Sequence, residues 1–86
     1  MSLVALRSLN LGENRITHIK NLSNCLMLEK LHLYCNQIEQ IAGLQSCIAL
    51  KELNVSENQI SKVENLSRQV HLQSLYIAAN PIEQFS

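Results

Sequence analysis

His32 and Cys35 stand three residues apart near the middle of the chain. A histidine beside a cysteine can activate a thiolate nucleophile, or it can supply two ligands to a metal. Neither use is supported by the rest of the sequence. A structural zinc site needs four ligands, and no second cluster accompanies the pair. A nucleophile needs a pocket and donors for an oxyanion. Cys35 is therefore read as an exposed thiol, with no catalytic residue, no metal and no cofactor expected. Cys25 and Cys47 lie 22 residues apart. Two readings stand for them: a disulfide, or two small packed side chains, since free cysteine packs like a small hydrophobe. The packed reading is preferred.

Composition closes other routes to chemistry. Seven basic residues balance seven acidic ones. No basic excess is present to neutralise phosphates, which argues against nucleic acid as a partner. No apolar run reaches the roughly 18 residues needed to cross a membrane. The N-terminus lacks the basic and apolar segments of a signal peptide. Three cysteines without framework spacing suit a reducing compartment better than a secreted one. A cytoplasmic location is expected, with a cytoskeletal, ciliary or nuclear one as the alternatives. Asn21-Leu22-Ser23, Asn54-Val55-Ser56 and Asn65-Leu66-Ser67 match the glycosylation acceptor pattern, which would matter only in a secreted parent.

The elements that must position these residues are copies of one unit. The stretch from Leu28 to Ala49 is 22 residues long and recurs from Leu6, from Leu50 and, shortened, from Leu72. Its apolar rows are Leu6/Leu28/Leu50/Leu72, Leu9/Leu31/Leu53/Leu75 and Leu11/Leu33/Val55/Ile77, followed by Ile16/Ile38/Ile60/Ile82 and Ile19/Ile41/Val63/Phe85. Leu22/Leu44/Leu66 and Leu26/Ile48/Val70 complete the set. Asn14, Asn36, Asn58 and Asn80 recur in the same frame. Alternation around Leu31-His32-Leu33 reads as a short strand. Successive copies would lay such strands side by side and parallel. The asparagine turns the chain and offers an acceptor and two donors to backbone groups left unpaired by the bend. A spacing of three in Ile38, Ile41 and Leu44 suggests a 3₁₀-like or irregular return. A short helical turn is expected around Ser46 to Leu50. Gly43, standing where other copies have Asn21 and Asn65, suggests left-handed backbone.

The pattern L-x-x-L-x-L-x-x-N-x-L, carried by Leu28, Leu31, Leu33, Asn36 and Ile38, resembles the leucine-rich repeat. The 22-residue form with N-x-I-x-x-I-x-x-L is similar to the class typified by the regulatory subunit of protein phosphatase 1. Repeats of an axonemal dynein light chain, a spliceosomal subunit, internalins and many ciliary proteins are similar too. The resemblance implies an α/β fold: a leucine-rich repeat solenoid with short parallel strands on the concave face and 3₁₀ or irregular convex segments. It implies a non-catalytic module that docks a protein on its concave strands, a phosphatase or a cytoskeletal or ciliary protein by family. The chain divides into a tail of a preceding repeat (1–5), repeats at 6–27, 28–49 and 50–71, and a partial repeat at 72–86. Asn80-Pro81 resembles the turn of a last repeat, but the family's caps are missing at both ends. The alternative role is a structural segment that self-associates head to tail, through Leu3 and Val4 at one end and Ile82 and Phe85 at the other.

Removing the structural rows leaves the concave candidates. They are Asn10, His32, Asn54 and Tyr76 in the strand row, then Gly12, Tyr34, Ser56 and Ala78. His32, Tyr34 and Tyr76 lead, because tyrosine offers area with a polar tip. Lys30 and Glu52 complete the expected partner-binding set with Asn10 and Asn54. Arg7, Glu29 and Lys51 alternate in sign along one row, and Lys30 and Glu52 along the next. These are read as weak cross-strand pairs on a solvated face.

Overall fold

The computed structural model describes residues 5–85, without the side chains of residues 84 and 85. The expected apolar end at Leu3 and Val4, and the Phe85 side chain expected in the core, lie outside what is described. Four three-residue strands form one parallel sheet in the order β1 (Ser8–Asn10), β2 (Lys30–His32), β3 (Glu52–Asn54) and β5 (Ser74–Tyr76). Each pairs with the next at an offset of one unit: Leu9 opposite Leu31, Leu31 opposite Leu53, Leu53 opposite Leu75. That register stacks each leucine on the equivalent leucine of the next coil. Leu31 and Leu53 are fully buried, with Leu33 and Val55 beside them.

The strands are short because the chain turns sharply after them. Glu13, Cys35, Glu57 and Ala79 all have φ between 55° and 59°. For a residue with a Cβ this left-handed region costs about 1–2 kcal/mol, so something must hold it. The parallel backbone ladder does so. Glu13 N donates to Tyr34 O, Cys35 N to Ser56 O and Glu57 N to Ala78 O. The asparagine that follows adds side-chain bonds. Asn36 Nδ2 donates to Leu33 O and Tyr34 O in its own coil and to Leu11 O in the coil before, while its Oδ1 accepts from Ile16 N. Asn58 repeats this with Val55 O, Ser56 O, Leu33 O and Ile38 N. Asn80 does so with Ile77 O, Ala78 O, Val55 O and Ile60 N, and also accepts from Asn58 N. Among the described residues Asn14 bonds only within its own coil, to Leu11 O and Gly12 O. An amide that donates both to its own turn and to the coil before, while accepting from that coil, needs donors and an acceptor on one short side chain, which is why one residue type fills the row.

The return side takes the irregular one of the two expected forms, and three features define it. Among the described residues it contains no helix. At Ser46 to Leu50, where a helical turn was expected, two turns follow one another: Cys47 N donates to Leu44 O and Leu50 N to Cys47 O. The same pair of turns joins Leu22, Cys25 and Leu28, and again Leu66, Gln69 and Leu72. Secondly, the spacing of three from Ile38 to Leu44 carries no 3₁₀ bonds. The amide just before such a stretch reaches the preceding coil instead, Gln37 N to Ile16 O and Gln59 N to Ile38 O. A neighbouring coil offers acceptors that a tight helix would have had to supply internally. Thirdly, a second parallel pair forms on this side, β4 (Lys62–Val63) with β6 (Gln84–Phe85).

One apolar row exchanges places with its neighbour at this bend. Leu26, Ile48 and Val70 are 49%, 51% and 75% exposed, whereas Cys25, Cys47 and Gln69, one residue earlier, are buried. The residue shared by two consecutive turns faces inward, and the next one is thrown outward. Gly43 is left-handed at φ 81°, as are Asn21 and Asn65 at the same place in their units. A Cβ on Gly43 would lie 2.4 Å from the Ile19 carbonyl oxygen. One coil on, Asn65 meets the equivalent Ile41 oxygen by donating its Nδ2 at 2.8 Å.

Candidate protein-binding face

The outer side of the four-stranded sheet carries the side chains that the core does not use. His32 is held by Glu52, Nε2 to Oε2 at 2.6 Å. The register puts Lys30, not His32, directly opposite Glu52. Even so, the expected Lys30–Glu52 ion pair is not formed among the described residues. Glu52 takes the diagonal neighbour, which long side chains on adjacent strands can reach. Lys30 stays exposed and enters no ion pair among the described residues. The row at the strand entrances does pair: Glu29 bridges Arg7 at 3.0 Å and Lys51 at 3.7 Å. All three are partly solvent-facing, so each contact contributes no more than about 1 kcal/mol.

Tyr34 lies across the neighbouring coil rather than standing free. A Cβ on Gly12 would meet its ring at 2.4–2.6 Å, so the glycine is the floor on which the ring rests. Its hydroxyl is 3.4 Å from Asn10 Nδ2, and its ring centroid is 6.3 Å from that of His32, tilted by 58°. Asn10 is fixed in turn, because its Oδ1 accepts from Gly12 N at 2.9 Å. Asn54 makes the same bond to Ser56 N at 3.0 Å. Asn10, His32, Tyr34 and Glu52 thus form one linked group across β1, β2 and β3. Tyr76 is not part of it. It sits on β5, opposite Asn54, and is 49% exposed. Of the seven residues expected to meet a partner, four are joined, Asn54 lies between them and Tyr76, and Lys30 flanks them.

His32 and Cys35 do not act on each other. Cys35 Sγ donates to Glu57 Oε2 at 2.7 Å. That bond, with burial and the charges of Glu57 and Glu13 adding to it, raises the thiol's pKa above its usual value. The thiol is therefore kept neutral and hydrogen-donating, the reverse of an activated nucleophile. Cys47 is buried, and its pKa is pushed up to about 11 by desolvation, with Cys25 adding to the effect. Both Cys25 and Cys47 are free thiols. Sequence reasoning passed over Gln69, which stands in their row and is 5% exposed. Its Nε2 donates to Leu44 O at 2.7 Å. The signal was the row itself: a position that is cysteine twice is an inward one, and a long amide there must find a backbone partner.

The solenoid with its asparagine ladder matches the leucine-rich repeat. A family model of two leucine-rich repeat copies covers residues 4–46, and a single-repeat model covers 46–63. The chain belongs to the leucine-rich repeat family. Such repeats are generally non-catalytic and typically mediate protein–protein interaction. The matches are to leucine-rich repeats in general and single out no subclass. Leucine-rich repeat-containing protein 49 of Homo sapiens is 54% identical over 41 residues. These are 48% of this chain and 6% of that protein, so the chain spans a small part of the relative's length. Among the described residues no helix is long and apolar enough to cross a membrane.

Proposed function

We propose that the strand face docks a protein partner, centred on His32 and Tyr34 with Tyr76 as a second contact. The observation that carries this reading is the linked group of Asn10, His32, Tyr34 and Glu52. Its side chains are held in place by each other and by Gly12, yet none is needed to fill the core. Preorganised side chains lose less entropy on binding, which favours them as contact residues. In this reading the chain is one array divided at 6–27, 28–49 and 50–71. The resemblance to the class typified by the phosphatase 1 regulatory subunit points to a phosphatase or a cytoskeletal or ciliary protein as partner. Capture of partners on immobilised chain, followed by titration of a recovered partner, tests it. The combined variant His32→Ala/Tyr34→Ala/Tyr76→Ala should keep the melting temperature within a few degrees and lose at least tenfold in affinity. An unchanged affinity rejects the assignment.

A further inference from the structure

The two edges of the strand face differ in charge. At the strand entrances stand Arg7, Lys30 and Lys51 with Glu29 and Glu52. Both carboxylates are already engaged, Glu29 by Arg7 and Lys51 and Glu52 by His32. Lys30 is exposed and outside these pairs. At the strand exits stand Glu13 and Glu57, both exposed and left-handed, with Cys35 between them. Cys35 adds no charge, because it keeps its proton and donates a hydrogen bond to Glu57. Arg15, two residues past Glu13, makes no ion pair with it among the described residues.

Lys30 opens the three-residue strand and Cys35 stands at the turn five residues on, a span of up to about 16 Å at the rise of a strand. That exceeds the screening length of about 8 Å at physiological salt. The two edges therefore do not cancel, and a bound segment feels each separately. Between them lie the neutral side chains of Asn10, Asn54 and Tyr34, together with His32.

We propose that the occupant of this face is an amphipathic helix of the partner, lying across the strands with carboxylates on the flank that meets Lys30 and with lysine or arginine on the flank that meets Glu13 and Glu57. This rests on the strand-face reading above and deepens it. A helix with side chains is about 10–12 Å wide, which fits between the two edges and presents three rows at once. Its middle row is apolar and packs on Tyr34 and His32. Turning such a helix end for end exchanges its flanks, so the face also sets the direction in which the helix runs.

Three synthetic helical peptides with one shared apolar row test this by fluorescence anisotropy. One carries Glu on one flank and Lys on the other, the second Lys on both, the third Glu on both. The mixed peptide should bind about tenfold more tightly than either of the others at low salt, a margin of the size that complementary charge gives, and the margin should shrink in high salt. Lys30→Glu should weaken the mixed peptide and strengthen the peptide with Lys on both flanks. Equal binding of all three, lost in His32→Ala/Tyr34→Ala, overturns the charge assignment and leaves the strand-face reading standing. Binding that survives His32→Ala/Tyr34→Ala overturns the strand-face reading itself. Binding by none of the peptides overturns the helical occupant.

Discussion

The coil from Leu28 and the coil from Leu6 carry the same rows and reach different states. In the second coil Leu28, Leu31, Ile38 and Ile41 are fully buried. In the first coil Leu6, Leu9, Ile16 and Ile19 are only partly buried, and Leu11 is 36% exposed. The asparagines divide in the same way. Asn36 is 7% exposed and bonds to its own coil and the one before, while Asn14 is exposed and, among the described residues, bonds only to its own. A repeat thus encodes half of its own environment, and the other half is whatever stacks against it.

Mutation of paired positions sharpens this contrast. Leu31→Ala removes a fully buried side chain and should cost about 2–5 kcal/mol, read from urea unfolding. Leu9→Ala should cost less than half as much, since its site is already partly solvated. Equal losses would mean that burial in the two coils is the same in solution. Asn36→Ala strands the carbonyls of Leu11, Leu33 and Tyr34 and the amide of Ile16, at about 1–3 kcal/mol for a buried unsatisfied group. Asn14→Ala should change stability far less.

The two glycines make a smaller test of the same idea. Gly43→Ala combines left-handed backbone with a collision against a backbone oxygen that cannot swing aside. A loss of about 1–2 kcal/mol from the backbone alone is expected, with the collision adding to it. Gly12→Ala meets only the Tyr34 ring, which can move. Its melting temperature should fall less, while partner affinity drops because the ring is displaced.

The smallest effects belong to the thiols. A disulfide reagent near pH 8 should titrate Cys35 in the folded chain and reach buried Cys25 and Cys47 only after unfolding. Glu57→Ala removes the largest cause of the raised Cys35 pKa, the hydrogen bond its carboxylate accepts, so more thiolate forms and the reaction should speed up severalfold. Cys47 predicts a pH dependence with a definite sign. Its folded pKa lies above its unfolded one, so its stabilising contribution is whole below about pH 9 and is lost as pH rises towards 11. Cys47→Ala should flatten that part of the stability profile in chemical unfolding.

Much of this was legible in the residues. The strands, their parallel order and the asparagine row follow from a 22-residue frame, because period-two alternation and a fixed turn residue have few other solutions. The candidate site was legible as a set of positions, and less so as a set of contacts. His32 and Glu52 lie on different strands and meet on a diagonal, a choice made by side-chain length rather than by register. Tyr34 and Tyr76 both led as candidates, from different rows, and contacts between coils separate them: Tyr34 rests on Gly12 beside His32, while Tyr76 stands apart. Gln69 was missed although its row holds a buried cysteine in the two earlier coils, because its partners are backbone oxygens of another coil. Leu26, Ile48 and Val70 counted as apolar positions, yet back-to-back turns carry them outward.

The sequence by itself determined the repeating frame, the inward leucine rows of the strands and the residue type at each bend. Those are properties of one unit, set by local backbone preference and by the need to bury alternate side chains. The tertiary structure alone decided which bend residues face inward, which carboxylate His32 binds, and that Lys30 is left outside the ion pairs while Cys35 stays protonated. Each depends on distances between coils that are 22 residues apart in the chain and neighbours in space.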